Sequence, residues 1–370
     1  MKDLNIQDIL DWHQQFKEQK LFGRHITFDM IEPIIKKLSN SFSSEKIGVS
    51  FQKKPIYKIS IGKGKTKILL WSQMHGNEST GTKALFDIFQ FLENSEKNTV
   101  VIENILDKCT LVFIPILNPD GAALYTRINA QGIDLNRDAV ALEAPESIIL
   151  NTVLKQFNPH FCFNLHDQRT IFSVGDAKLP ATISFLAPSA NEARTVTNGR
   201  KITMSVIVAM QKVLQNIIPN QIGRYTDEFY PTATGDNFQK AGHNTILIEA
   251  GHFTDDYTRE EVRKYNFIAI LTGLLHISKG VFKNYSAYFN IPENEKKYLD
   301  VIYKNVFLAD NHKKVDIGIV FKEELVNNTV IFIPTIEYSK ELANYNATTI
   351  IDKEGEVYKN KETFQEFIEK

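Results

Sequence analysis

The spacing of apolar and polar positions changes several times along the chain. In residues 5–40, Ile6, Ile9, Leu10 and Trp12, then Met30, Ile31, Ile34, Ile35 and Leu38, recur at helical intervals and predict two amphipathic helices. From Ile56 the period shortens. Residues 57–61 alternate, Gly62-Lys63-Gly64-Lys65 interrupts them, and residues 67–71 resume, which predicts a hairpin. Residues 80–92 return to helical spacing, with Leu85, Ile88, Phe89 and Leu92 on one face. Residues 111–117 are continuously apolar, the pattern of a strand buried on both sides. Pro145–Phe157 reads as a helix with proline in its first turn. Short apolar strands follow at 161–165, Ile183–Leu186 and 245–248, and helices at 191–217 and 260–277. Strands alternating with helices predict an α/β fold around a mainly parallel sheet covered on both faces.

Beyond residue 280 the texture changes. Residues 315–319 and 329–333 are β-rich and no long helix separates them. The chain therefore divides into a unit over residues 1–280, of which 1–50 is a helical N-terminal segment, and a small β-rich C-terminal unit over 281–370. No internal repeat or low-complexity tract interrupts either.

Composition narrows the function. Of 370 residues, 43% are hydrophobic and 24% charged, enough apolar material for a substantial core. The formal net charge is −1, which argues against a general nucleic-acid binder, since such binding rests on a basic surface. Cys109 and Cys162 lie in apolar runs and read as buried thiols; two cysteines make neither a disulfide framework nor a four-cysteine zinc site. The first residues hold no apolar run followed by a cleavage site, and no stretch approaches the ~20 apolar residues of a bilayer span, so a cytoplasmic protein without membrane contact is expected.

In open α/β sheets ligands bind beyond the carboxyl ends of the strands. Four predicted strands end in polar groups: Met74-His75-Gly76-Asn77-Glu78, Asn118-Pro119-Asp120-Gly121, His166-Asp167-Gln168-Arg169, and Glu249. A catalytic zinc takes three protein ligands and keeps one open position, and two histidines with a glutamate are an established set. His75 and Glu78, three residues apart, meet within one turn, and Gly76 removes bulk beside the metal. His166 supplies the third ligand from a neighbouring strand. Glu249 remains as a general base for a metal-activated water.

Nine of the 43 basic residues are arginines, and Arg127, Arg137, Arg169 and Arg224 fall in or near these segments. Arginine holds carboxylates bidentately where lysine does not, so an anionic substrate group is expected. A nucleotide-binding reading of Gly62-Lys63-Gly64-Lys65-Thr66 fails, because the phosphate-loop pattern needs glycine where Ile59 stands. Of the remaining histidines, His13, His25, His160, His276 and His312 have no partner motif, and His243 and His252 flank the Glu249 strand, where local hydrogen bonding is expected ahead of a place near the site.

Taken together, His75-Gly-Asn-Glu78, Asn118-Pro-Asp-Gly121, Arg127, Asp134-Leu-Asn136-Arg137, His166 and the late Glu249 resemble the M14-type zinc carboxypeptidases over residues 56–280. The resemblance implies a mixed, mostly parallel twisted sheet flanked by helices. It implies that His75, Glu78 and His166 bind Zn2+, that Glu249 is general base and proton shuttle, and that Arg127 polarises the scissile carbonyl. It further implies that Asn136 and Arg137 dock a terminal carboxylate, that Asp134 orients a ligand histidine, and that a tyrosine from a loop before Glu249 faces the substrate. Tyr225 and Tyr230 both stand in that loop.

The same motifs are similar to those of the succinylglutamate desuccinylase and aspartoacylase group. Asn118-Pro-Asp-Gly121 leans toward carboxypeptidases and the β-rich tail toward the deacylases. The expected function is therefore metallocarboxypeptidase-type hydrolysis of an amide or peptide bond next to a free carboxylate. The alternatives are an N-acyl amino acid deacylase and, more remotely, a non-catalytic peptide-binding module. The expected partner is a peptide or acylated amino acid. Asp227 and Asp236 are both candidates for selecting a basic group. The tail, absent from the minimal enzyme, is left with covering the site or mediating dimerisation.

Overall fold

The computed structural model describes residues 5–93, 95–176, 178–310 and 312–369. Its strands, in chain order, are β1 (Ser43–Val49), β2 (Pro55–Ile61), β3 (Thr66–Trp71), β4 (Cys109–Ile114), β5 (Phe161–Asp167), β6 (Ser173–Val174), β7 (Ile183–Leu186), β8 (Ile222–Arg224), β9 (Asn244–Ala250), β10 (Asn294–Glu295), β11 (Tyr298–Leu308), β12 (Lys313–Val326), β13 (Thr329–Lys340), β14 (Asn346–Asp352) and β15 (Val357–Tyr358). An eight-stranded sheet runs in the order β1-β2-β4-β3-β5-β9-β7-β8. β4, β3, β5 and β9 are mutually parallel along this path, while β2 and β7 flank them antiparallel. This is the mixed, mostly parallel sheet of an α/β fold. The central strands are largely buried, and all seven residues of β5 are.

Helices cover both faces. Thr80–Glu93, Asn198–Gln215 and Glu260–Lys279 pack into the larger apolar core, and Pro145–Phe157 into a second core around Trp71 and Leu150. The helix Glu260–Lys279 is buried along most of its length, because it packs chiefly against Thr80–Glu93 and Asn198–Gln215, with Ile6–Phe16 and the sheet completing its cover.

The expected hairpin does not form. β4 inserts between β2 and β3, pairing antiparallel with one and parallel with the other. The Gly62–Lys65 turn instead folds over Lys108 and Cys109: Gly62 adopts φ +87°, and a Cβ on Gly64 would lie 1.8 Å from the Lys108 carbonyl carbon. β4 is almost wholly buried, and a strand so apolar is covered best between two neighbours.

The N-terminal 50 residues are also not helical throughout. Helices span Ile6–Phe16 and Phe28–Ile35, but Ser43–Val49 joins the sheet as an edge strand. The last residues carry a helix, Lys361–Ile368, that the β-rich texture did not announce.

A separate sheet of β13-β12-β11-β14, with β15 beside β11, makes up the C-terminal part. It has its own small cores around Val306, Ile317 and Phe364 and around Leu299, Ile302 and Leu342. The turn Tyr285–Asn290 before it still packs on the larger unit, where the Tyr288 hydroxyl receives the Ala187 N–H at 3.1 Å. Among the described residues no helix is long and apolar enough to cross a membrane.

Candidate metal centre and hydrolytic site

The loop after β3 and the end of β5 meet at the carboxyl edge of the sheet. His75 Nδ1 lies 2.8 Å from Glu78 Oε1, and His166 Nδ1 lies 2.9 Å from Glu78 Oε2. The two ring nitrogens are 3.2 Å apart. Among the described residues this buried trio is the one cluster of histidine, cysteine or acidic side chains with ligand atoms close enough to hold a metal ion. Its donor set fits zinc: two imidazole nitrogens face each other across one carboxylate, and a tetrahedral site with bonds of about 2.0–2.1 Å places such atoms about 3.3 Å apart. A small expansion of the observed trio meets that geometry.

Local structure explains why His75 and Glu78 converge. The Glu78 N–H bonds the His75 carbonyl at 3.0 Å, closing a turn. Gly76 does not clear space for the metal. A Cβ there would lie 1.9 Å from the Gly121 carbonyl carbon, so Gly76 lets the loop cross the backbone of residues 121–122. Asn118 locks this crossing: its Oδ1 caps the short helix Pro119–Leu124 by accepting the Gly121 N–H, and its Nδ2 donates to the Met74 carbonyl at 3.2 Å. The Asn-Pro-Asp-Gly motif is thus a support for the ligand loop.

Asp134 joins two other residues of the site. Its Oδ1 takes a hydrogen bond from His75 Nε2 at 3.0 Å, while Oδ2 accepts from Arg127 Nε at 3.1 Å and Nη2 at 3.0 Å. The first contact puts the Nε2 proton on His75 and leaves Nδ1 free to bind a cation. Arg127 is half-exposed toward the cavity, with Nη1 3.3 Å from Glu78 Oε1.

Glu249 lies within β9, one residue before its end, and not beyond it. It is the register partner of His166 on β5 and of Ser184 on β7. Burial raises its carboxyl well above the usual range, and the nearby carboxyls of Glu78 and Asp167 raise it further, against the pull of Arg127. A cation in the trio would act in the opposite direction.

Asn136 and Arg137 occupy the turn that Asp134 caps. Asn136 Oδ1 receives the Thr234 N–H at 3.3 Å, and Arg137 stacks over the Tyr230 ring at 5.5 Å. Tyr225 and Tyr230 both line the cavity. Tyr225 is half-buried and donates its hydroxyl to Gln168 Oε1 at 2.8 Å; Tyr230 is exposed. Burial pushes the Asp236 carboxyl up to about 6, and it too lines this space.

Two other expectations end elsewhere. Arg224 pairs with Glu293 at 2.8 Å and donates to the Ile291 carbonyl, so it ties the chain before β10 to the sheet and does not face the cavity. Asp227 is neutralised by Arg200 at 2.8 Å and Arg194 at 3.5 Å. Arg169 is exposed at the cavity rim, 3.7 Å from Glu337.

With this geometry in place, comparisons with known proteins give a consistent answer. Residues 29–171 match the family model described as zinc carboxypeptidase. Carboxypeptidase 2 of Trichophyton tonsurans is 28% identical over 103 residues, 27% of this chain and 19% of that protein. Carboxypeptidase D of Rattus norvegicus is 32% identical over 102 residues, 24% of this chain and 7% of that protein. The chain thus spans less than a fifth of the length of these curated relatives. In fold, it superposes on a metallo-carboxypeptidase from Burkholderia cenocepacia with TM-score 0.53 and 17% identity, covering 67% of this chain and 68% of that one. For carboxypeptidase A of Helicoverpa armigera the TM-score is 0.55 at 15% identity, covering 76% and 83%. The chain is zinc carboxypeptidase-like in motif and in fold.

Three residues that line this cavity stand outside the motifs of the sequence. Arg259, buried, donates to the carbonyls of Ala250 and of Gln168, the latter at 2.5 Å, and so staples the ends of β9 and β5 that carry Glu249 and His166. Arg24, from the N-terminal segment, and Glu323, from β12, pair at 2.8 Å and line the same cavity. None of the three lies in a recognisable motif, and nothing local joins them.

Proposed function

We propose that the protein is a zinc-dependent hydrolase that cuts an amide or peptide bond next to a free carboxylate. One observation carries this reading: a half-buried acid that lines the cavity, Glu249, is the register partner of His166 in a two-histidine, one-glutamate trio, and the same cavity of about 760 Å³ holds Arg127, Asn136 and Arg137.

His75, Glu78 and His166 would hold the zinc. Bound there, zinc supplies Lewis acidity to the scissile carbonyl and to a water molecule. The residues do the rest. Arg137 and Asn136 bind the substrate carboxylate, which brings the neighbouring carbonyl to the trio. Glu249 accepts the proton of the attacking water on its carboxylate and returns it to the leaving nitrogen. The Arg127 N–H groups donate to the carbonyl oxygen as negative charge builds on it. Tyr225 or Tyr230 closes over the bound substrate.

Contribution of the small sheet to the cavity favours a second reading, hydrolysis of N-acyl amino acids, in which the same residues act on a shorter substrate. Replacement of Glu249 tests the shared chemistry. E249Q should keep about one zinc per chain, measured by elemental analysis, and lose at least about 100-fold in kcat. A variant that retains its rate removes Glu249 from the reaction. A panel of peptides and N-acyl amino acids then separates the two substrate classes.

A further inference from the structure

Six residues that line the cavity belong to the small sheet: Val320, Phe321, Lys322 and Glu323 on β12, and Thr335 and Glu337 on β13. The hairpin they form is docked firmly. Glu323 meets Arg24 through both carboxylate oxygens, at 2.8 and 2.9 Å, and receives the Tyr125 hydroxyl. The Phe321 N–H donates to Asp300 at 2.7 Å, and the Tyr257 ring packs at a tilt against Phe321 and Phe332, each at 5.3 Å.

Contacts of the metal trio lead to the carboxylate clamp through one set of residues and to this hairpin through another. On one side, Asp134 bonds His75 from the turn that carries Asn136 and Arg137. On the other, the Asp167 N–H bonds Glu78 at 3.0 Å, and the Asp167 carboxylate faces Arg259, whose neighbours include Arg24 and Glu323. A substrate held by its carboxylate at Arg137, with the reacting carbonyl at the trio, therefore extends toward β12 and β13. An extended chain advances about 3.3–3.6 Å per residue, so each residue added beyond the scissile bond moves further into that wall.

We propose that the β12–β13 hairpin closes the cleft beyond the scissile bond, so that the protein accepts a dipeptide or an N-acyl amino acid and discriminates against longer peptides. This inference rests on the proposed function for the direction in which substrate lies. Size, and not charge, is the criterion. The ionic groups of the wall already have partners: Glu323 with Arg24, Glu337 with Arg169, and Lys322 with Glu324 at 2.8 Å.

A binding ladder tests it without requiring turnover. Peptides of two, three, five and ten residues, identical at their carboxyl ends, are titrated calorimetrically into E249Q protein purified with its metal. Kd should rise at least tenfold between two and five residues. The double variant T335A/E337A, which trims surface side chains of the wall, should reduce that ratio several-fold. Equal or tighter binding of the long peptides overturns the proposal, as does a ratio unchanged by trimming. Binding of the dipeptide with no hydrolysis by the unaltered protein would reject the proposed reaction and leave the length limit standing. Absence of binding at every length rejects both.

Discussion

Glu249 and His166 are register partners on the adjacent parallel strands β9 and β5. Side chains of such partners project from the same face of a sheet, so the carboxyl of one and the imidazole of the other are fixed relative to each other by backbone hydrogen bonds. Arg259 reinforces this by bonding the carbonyl one residue beyond Glu249 and the carbonyl two residues beyond His166.

A base placed so rigidly is sensitive to its length. E249D withdraws the carboxylate by one methylene, about 1.5 Å. We expect kcat to fall about 100-fold with metal content unchanged, since a displacement of about 1 Å costs that much in a preorganised site. A loss below threefold would show that Glu249 reaches its target through a mobile intermediary.

Asp134 should act on the metal through His75. D134N removes the charge that keeps the proton on Nε2, and metal affinity should drop about 10–100-fold. Competition with a chelator of known affinity measures this. Thermal stability of the metal-free protein is measured beside it, because Asp134 also pairs with Arg127 and caps its turn; a loss of stability without a loss of metal affinity would assign Asp134 a structural role only.

Arg137 is predicted to act on substrate alone. R137A should raise KM at least tenfold for substrates with a free carboxylate and leave their amidated counterparts almost unaffected. Equal effects on both would place the carboxylate elsewhere.

Asp236 gives the protein a pH-dependent weakness. Burial raises its carboxyl to about 6, above the ordinary value near 3.9, so the folded state binds the proton more tightly than the unfolded chain. Its effect on stability is therefore least below about pH 4, and stability falls as pH rises through 6. The shift corresponds to on the order of 3 kcal/mol. D236N should flatten the decline between pH 4 and 7 in urea denaturation. An identical decline in both proteins would assign it to other groups.

Glu323 ties the small sheet to the larger unit. E323A strands the buried Arg24 guanidinium without its carboxylate, and unfolding free energy should drop by about 3 kcal/mol. Urea denaturation measures it. A change below about 1 kcal/mol would mean that Arg24 finds compensation at Asp167.

Much of this architecture was written locally. His75 and Glu78 are one turn apart, Asn118 caps its own helix, and Asp134 caps the turn that bears Asn136 and Arg137. Groups so close along the chain meet whatever surrounds them. The alternation of apolar strands with helices likewise announced a layered α/β fold, because burial leaves its period in the sequence.

Choice of partners was not written there. Periodicity reports which side of a strand is buried and is silent on which strand lies beside it. So β4 entered the expected hairpin, Arg224 left the expected site for Glu293, and Arg24, Arg259 and Glu323 arrived from positions 24, 259 and 323 to complete a cavity around residues 75–78 and 166. Such long-range contacts are decided by how whole faces pack and by where buried charges can be paired, and those conditions exist only once the chain has folded.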